Sequence, residues 1–276
     1  MHTTFRMDGL TPPERPAKPW MKATPAIITI GIIAAFAVHG RIAQPANYND
    51  FADHSAIFGI SHAADVLSNA GFALVAIWGW LALRPHRNSD RLRPGWPGYR
   101  LFRIGLFLTA FGSAFFHLAP GNGRLTWDML PIALAGAGLL VGVRGDTRPG
   151  SKTNIETILL GLYAAASVAW WVTTDRHGAG DLRPYLLLQV LPLILIQLWQ
   201  SIYRAPRADR IAFAAAMMLY VLAKIAEVLD HQIADTIQFV SGHTLKHLLA
   251  TSATAAIVWG LTRRISDGGG RRVISE

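Results

Sequence analysis

Stretches of mostly apolar residues recur along the chain, and each is close to the length needed to cross a bilayer. Crossing a hydrocarbon core of about 30 Å takes about 20 apolar residues in a helix. Because the bilayer offers no partners to backbone polar groups, these stretches are predicted to be helical. The pattern predicts eight spans, at residues 25–42, 63–83, 101–118, 127–143, 155–173, 184–202, 210–229 and 244–262.

The composition favours a membrane protein over a soluble domain. Hydrophobic residues make up 51% of the chain and charged residues only 16%, whereas a soluble domain carries about 25% charged residues. The sequence has no cysteine, which excludes disulfides and thiolate ligands, so any metal must be held by His, Asp or Glu. The prediction is an all-α fold: a polytopic transmembrane helical bundle with a seven-helix core plus one N-terminal helix.

Basic residues are concentrated in alternate connections between the predicted spans. The basic-rich set has 20 Lys and Arg, within residues 1–24, 84–103, 144–152, 204–210 and 263–272. The other connections have only Arg41, Arg124, Arg176 and Arg183. By the positive-inside rule both termini are predicted to be cytoplasmic. The net charge of +9 fits this topology and attraction to anionic lipid head groups, and no aromatic-interleaved basic surface indicates nucleic acid.

The chain divides into one membrane domain with short additions at both ends. The predicted parts are a cytoplasmic N-terminal tail (1–24), an extra N-terminal transmembrane helix (25–43), a seven-helix membrane domain (44–262) and a flexible basic C-terminal tail (263–276).

The first helix also has features of a signal peptide. A basic start at Lys22 precedes a short apolar run that ends in Ala35-Phe36-Ala37, which is the pattern of a cleavage site. The long, proline-rich region before it favours an uncleaved helix. Cleavage would leave seven helices with an outside N-terminus.

Two histidines four residues apart, His243 and His247, begin the last apolar span. Positions i and i+4 share one helix face, so both imidazoles can bind one cation. With the predicted orientation, His117 at the end of the third span lies at the same outer level. Haem ligation and a proton path are alternative roles for the histidine pair. Lys246 is expected to point elsewhere on the helix and to reach a lipid head group.

Two further polar residues are predicted at this outer level. Ser113 lies one turn below His117 on the same face, and Asp128 begins the fourth span after a short turn. A structural interpretation exists for each: Asp128 as an N-terminal helix cap, and Ser113 as a small residue that allows close packing beside Gly112.

The seventh span carries a polar stripe, in which Tyr220, Lys224, Glu227 and His231 share one face and Asp230 lies alongside. One interpretation is a Lys224–Glu227 pair that neutralises itself within the bundle. The other is that Glu227 or Asp230 orients a metal-bound imidazole.

The order and spacing of these residues resemble a known family. Ser113-x-x-x-His117, then Asp128, then His243-x-x-x-His247 resemble the alkaline ceramidase family, in particular its bacterial members within the wider CREST superfamily of membrane hydrolases. Residues 65–69, 241–248 and 51–53 also resemble family motifs: a Ser-Asn element, a terminal motif and an entry loop. The resemblance covers roughly residues 48–262 and leaves out the first helix.

The resemblance implies a zinc-dependent amide hydrolase. One catalytic zinc would be bound by His117, His243 and His247 with water in the open position. Asp128 would act as general base and Ser113 as oxyanion donor. The implied reaction cleaves ceramide to a sphingoid base and a free fatty acid. The predicted location is a bacterial inner membrane, and the charge pattern places the active site toward the outer face.

The sequence departs from the family at one place, and other functions stay open. Eukaryotic relatives carry an acidic calcium site ahead of the core. Here the matching stretch has no Glu or Trp, so calcium is not expected, and Asp50 and Asp53 are interpreted as solvated loop charges. The matching residues are Asn49, Asp50, Asp53, His62 and Asp65. The alternatives are hydrolysis of another N-acyl lipid, a zinc-containing lipid receptor without turnover, and a haem-binding electron carrier. No feature predicts a protein partner.

Overall fold

The structure is a computed structural model that describes residues 19–148 and 150–269. Arg6, Arg15 and Lys18 of the predicted N-terminal tail lie outside the described residues, as do Arg271 and Arg272 of the C-terminal tail. The elements in chain order are α1 (Pro19–His39), β1 (Ala56–Ile57), β2 (Ile60–Ser61), α2 (Ala63–Ser68), α3 (Ala70–Leu83), a 3₁₀ turn (Arg84–His86), α4 (Trp96–Leu118), α5 (Asn122–Thr147), α6 (Thr153–Arg176), α7 (Arg183–Ile202), α8 (Arg207–Val228), α9 (Asp230–Ile237) and α10 (Gly242–Gly269).

The predicted all-α bundle is confirmed. Among the described residues, seven segments are long and apolar enough to cross a membrane. They are Trp20–His39, Ala63–His86, Trp96–Leu118, Asn122–Thr147, Thr153–Arg176, Arg183–Ile202 and Arg207–Val228.

The eighth predicted span forms helix α10, which packs along α8 and α3. It is not among the seven apolar segments. Its first turns carry His243, Lys246 and His247, and these polar side chains lower the hydropathy of the segment. The helix is therefore confirmed, whereas its crossing of the membrane stays a prediction.

The second predicted span is interrupted at Asn69, between α2 and α3. The Ser68 hydroxyl and the Asn69 amide nitrogen both donate to the backbone carbonyl of Asp65, at 2.9 and 2.7 Å. Side chains that bond a nearby carbonyl compete with the helical hydrogen bonds. Both side chains also approach His247 of α10.

The basic-rich connections meet at one end of the bundle. Arg264 near the end of α10 forms ion pairs with Asp146 at the end of α5 and with Asp209 at the start of α8. Arg91, from the connection before α4, donates to the Arg264 carbonyl at 2.8 Å. These contacts place the second, fourth and sixth connections at the same end, as the alternation of charge predicts.

The end of α1 is attached to the connection between α6 and α7 at the opposite end. The Leu182 amide donates to the Ile42 carbonyl at 2.9 Å, and the Asp181 carboxylate pairs with Arg183 at 2.8 Å. Burial raises the pKa of Asp181, but hydrogen bonds from Arg183 and Trp170 outweigh it and lower this pKa to about 2. The carboxylate therefore stays charged at neutral pH and holds α1 against α7.

The segment between α1 and α2 covers the end of the bundle that carries the histidines. It contains a hairpin in which Ala56 pairs with Ser61. Phe58 and Gly59 both have positive φ at its tip, as in a two-residue type I′ turn. The backbone N–H of Ala52 donates to Asp230 at 2.9 Å, which ties the segment to the start of α9.

Candidate metal centre

Three histidines from two helices meet beneath this segment. His117 lies in the last turn of α4, and His243 and His247 lie one turn apart at the start of α10. The His117 ring centroid is 4.6 Å from that of His243 and 5.0 Å from that of His247, and the latter two are 4.8 Å apart. One ligand nitrogen of each lies within 4.8 Å of the others. The prediction that the three meet is confirmed, and the group could hold a metal ion.

The surroundings of His117 fit a bound cation. Its ring is fully buried, and neither ring nitrogen has a hydrogen-bond partner within the described part of the chain. Leaving a buried polar group unpaired costs about 1–3 kcal/mol, which coordination of a metal would offset. Imidazole nitrogens suit zinc, copper, iron and nickel, so the donor set defines a class of metals rather than one element.

Hydrogen bonds orient the ring of His247 for coordination. The Ser68 hydroxyl donates to the carbonyl of Asp65, so its oxygen is free to accept from His247 Nδ1, which lies 2.9 Å away. In the tautomer with the ring proton on Nδ1, this contact leaves Nε2 available as a ligand. Ser68 therefore connects α2 directly to the histidine group.

Phe51 covers two of the rings. Its ring centroid is 4.7 Å from that of His117 and 4.5 Å from that of His243, both at steep interplanar angles. The side chain is buried. The entry loop therefore supplies an apolar cover, which holds the rings in place and excludes water from one side.

Asp65 lies at the centre of the polar contacts behind the histidines. Its carboxylate accepts hydrogen bonds from Thr244 at 2.5 Å and from Ser241 at 3.1 Å. Its other oxygen is 3.9 Å from His117 Nδ1 and has no hydrogen bond among the described residues. A buried carboxylate thus joins the start of α10 to the end of α4. Sequence reasoning identified the motif containing Asp65 but not this role; its one signal was an acidic residue inside an apolar span.

The interpretation of Asp53 as a solvated charge is wrong. Asp53 is buried and accepts hydrogen bonds from the backbone N–H groups of Ser55 and Asp65, each at 2.9 Å. Burial raises the pKa of Asp53, but these hydrogen bonds outweigh it and hold the pKa below its usual value. Asp53 therefore fixes the loop to the start of α2. Asp50, in contrast, is exposed, 3.6 Å from His231.

Asp128 does not cap a helix. Helix α5 begins at Asn122, directly after the turn, so Asp128 lies within its second turn. The carboxyl is buried, and its Oδ1 has no hydrogen-bond partner among the described residues. The structural interpretation therefore fails, while the predicted catalytic role is untested. Asp128, Ser113 and His247 line the same cavity.

The close approach of α4 and α5 at Gly112 positions Ser113 and Asp128. A Cβ atom on Gly112 would lie 2.0 Å from the backbone oxygen of Trp127, so only glycine allows this separation. Ser113 and Asp128 directly follow these two contact residues. Gly112, rather than Ser113, is thus the residue that permits close packing.

Replacing Gly112 by alanine is expected to force α4 and α5 apart. Overpacking of this kind costs about 1–3 kcal/mol, so thermal unfolding in detergent should occur at a clearly lower temperature. Gly161→Ala is the control, because a Cβ there would make an ordinary 3.7 Å contact with Leu101. Equal unfolding temperatures for the two variants would contradict this account of the helix crossing.

The polar stripe of α8 reaches the site through Lys246. The predicted Lys224–Glu227 ion pair is present. The expectation that Lys246 points elsewhere is wrong: its Nζ lies 2.8 Å from Glu227 Oε1 and 3.1 Å from His243 Nε2. Positions 243 and 246 are three residues apart and so share a helix face. Glu227 thus contacts the histidine group through Lys246.

Asp230 positions the first histidine of α10 through its backbone. One carboxylate oxygen accepts the N–H of His243 at 2.7 Å, and the other accepts that of Ala52. A Cβ on Gly242 would lie 2.3 Å from the Ala226 carbonyl and 2.6 Å from Asp230 Cα. The start of α10 is therefore packed directly on the junction of α8 and α9. The interpretation that Glu227 or Asp230 orients a metal-bound imidazole stays a prediction, and the contact of Asp230 is with the backbone of His243.

An apolar cavity extends from the site into the bundle. Its volume is about 330 Å³, within the range of sites that bind small molecules. At one end it is lined by Ser113, Asp128 and His247, and beyond them mostly by apolar side chains. The apolar lining includes Leu106, Ile132, Leu139, Ile196, Phe213 and Ile257. The cavity can hold a hydrocarbon chain with a polar group next to the histidines.

Comparison of the chain with family models, with curated proteins and with solved structures finds no match.

Proposed function

We propose that this protein is a zinc-dependent hydrolase of a membrane lipid amide. The observation that carries the proposal is the position of the histidine group. His117, His243 and His247 meet beside one end of an apolar cavity, and Asp128 and Ser113 line that same end. The resemblance of these five residues to the alkaline ceramidase pattern supports the same reaction.

The histidines, Asp128 and Ser113 have separate roles in the proposed hydrolysis. A zinc ion held by the three histidines would supply Lewis acidity at the amide carbonyl and activate water for attack. Asp128 is buried, and its Oδ1 has no hydrogen-bond partner in the part of the chain that the structure describes; it accepts the proton of the attacking water and passes it to the leaving amine. Ser113 donates a hydrogen bond to the oxygen on which negative charge develops.

The cavity accounts for a lipid substrate. An acyl chain placed among the apolar side chains is shielded from water, while the amide stays next to His247, Asp128 and Ser113. Ceramide and other N-acyl lipids meet this requirement. A soluble amide lacks the chain that fills the cavity and is expected to be a poor substrate.

Incubation of purified protein with ceramide and with N-acyl amino lipids should release free fatty acid in at least one case. EDTA should abolish the release because it removes the metal, and zinc should restore it. Mass spectrometry of the extracted lipids measures both outcomes. Protein that holds zinc yet hydrolyses no member of the panel would contradict the hydrolase and favour a lipid receptor.

The site is proposed to face the outside of a bacterial inner membrane, with both termini cytoplasmic. The basic-rich connections meet at the end of the bundle opposite the histidines, and such connections stay on the cytoplasmic side. Reporter fusions after Arg148 and Arg264 should therefore report cytoplasm, and a fusion after Arg124 the outside. An outside signal after Arg148 would reverse the orientation.

A further inference from the structure

A cluster of charged residues lines the cavity beside the histidine group. Lys224, Glu227 and Lys246 all line it, as does Asp128. Glu227 is shared by both lysines: Oε1 pairs with Lys246 at 2.8 Å and Oε2 pairs with Lys224. Two ammonium groups thus share one carboxylate, which leaves one positive charge unbalanced within the trio.

Lys246 also places its ammonium group against a proposed metal ligand. Its Nζ is 3.1 Å from His243 Nε2, and its side chain is only 16% exposed. An ammonium group has three N–H donors, and the one acceptor nitrogen of His243 is needed for the metal, so Lys246 can donate to an oxygen of a ligand in addition to Glu227. A half-exposed Lys224 stands on the other side of the shared carboxylate.

The charges at this end of the cavity favour an anion. The charges of Lys224, Lys246, Glu227 and Asp128 cancel, and neutral imidazoles add none. A divalent cation held by the histidines would then leave two positive charges, of which the buried Asp65 carboxylate, 3.9 Å from His117 Nδ1, offsets one. The remaining positive charge is costly in a largely apolar cavity, and a negatively charged ligand group would offset it.

We infer that the lipid bound in this cavity carries a carboxylate on its head group, held by Lys246 with Lys224 behind it. The inference rests on the proposed function and narrows its substrate: an N-acyl lipid with an acidic head is preferred over one with a neutral head such as ceramide. The acyl chain lies along the apolar cavity, and the head group carboxylate accepts hydrogen bonds from Lys246.

Two probes that differ only in charge test this preference. N-oleoylglycine and N-oleoylethanolamine share the acyl chain and the amide, and one ends in a carboxylate where the other ends in a hydroxyl. Dissociation constants are measured by calorimetry in detergent on zinc-loaded Asp128→Asn protein, in which hydrolysis is expected to be nearly absent. N-oleoylglycine should bind roughly tenfold tighter, as expected for one hydrogen bond to a charged group.

Variants of Lys246 assign the preference to this residue. Lys246→Met should remove the tenfold difference and Lys246→Arg should retain most of it, with zinc content measured in each. Lys152→Met, at an exposed position away from the cavity, is the control. If Lys246→Met loses zinc or fails to fold, Lys224→Met is the second variant. This change leaves the contacts of Lys246 with Glu227 and His243 in place. It should reduce the preference for the carboxylate.

These measurements distinguish a failure of the proposed carboxylate site from a failure of the proposed hydrolysis. Equal binding of the two probes, or a preference that survives Lys246→Met in zinc-loaded protein, overturns the carboxylate site. Oleate distinguishes the head group from the carboxylate of a fatty acid product: if oleate binds as tightly as N-oleoylglycine, the head group assignment is wrong. A preference that depends on Lys246, in wild-type protein that hydrolyses neither probe, supports the anion site and counts against the hydrolase alone.

Discussion

Replacing His247 by alanine is expected to abolish both metal binding and hydrolysis. The ring of His247 is buried, its Nδ1 is engaged by Ser68, and its Nε2 is left for the metal. Three protein ligands are what a catalytic zinc site normally has, so losing one leaves too few to hold the ion. Elemental analysis of the purified variant should find almost no zinc, and no fatty acid should be released.

A second measurement separates loss of the ligand from loss of the fold. A metal that binds only the folded protein raises the unfolding temperature, so zinc should stabilise wild type and leave His247→Ala unchanged. His177→Ala is the control, because that exposed ring contacts the carbonyl of Thr173 far from the cavity. If His247→Ala kept a full complement of zinc, the ligand set proposed for this site would be wrong.

Asp128→Asn is expected to keep zinc and to lose most turnover. The amide has nearly the shape of the carboxyl but cannot accept a proton, and a general base contributes roughly 10²–10⁴-fold to a rate. The group that could hold the metal consists of three histidines and does not include Asp128, so the metal content should not change. The rate of fatty acid release and the zinc content are measured on the same preparation, with Asp235→Asn as the exposed control.

Ser113→Ala gives the contrast that separates the two roles. Removing one oxyanion donor costs roughly 10²–10³-fold, and the proton acceptor remains in place. The loss should therefore appear in the rate without a change in zinc content. Near-normal turnover in Asp128→Asn would show that the base is another group.

The helices, and the alternation of basic-rich and basic-poor connections between them, were predictable because each depends on local composition. A run of about 20 apolar residues can satisfy its backbone in a bilayer only as a helix, and the charge of each connection is independent of how the helices pack. The contacts of Arg264 with Asp146 and Asp209 agree with that alternation. The break at Asn69 was not predictable from hydropathy, since it depends on two side chains that bond one carbonyl.

The polar residues were found more easily than their partners. A polar residue that can bind a metal, such as His117, is conspicuous in an apolar span. The four-residue spacing of His243 and His247 predicts that they share one helix face. The partner of Lys246 could not be inferred in the same way, because Glu227 lies on another helix whose rotation the sequence does not reveal. The burial of Asp53 was not predicted for a similar reason. A loop carboxylate can be buried when a group elsewhere in the chain donates to it, and here that group is the backbone N–H of Asp65.

The sequence by itself determined the all-α class, the helices and the residues able to bind a metal, because periodicity and residue chemistry are properties of single segments. Only the tertiary structure decided that three histidines from α4 and α10 share one site, that Asp65 and Ser68 support it, and that Lys246 turns inward to Glu227. These contacts join residues up to 179 positions apart. They depend on the packing of whole helices, as at Gly112 and Gly242, where the absence of a Cβ sets how closely two backbones approach.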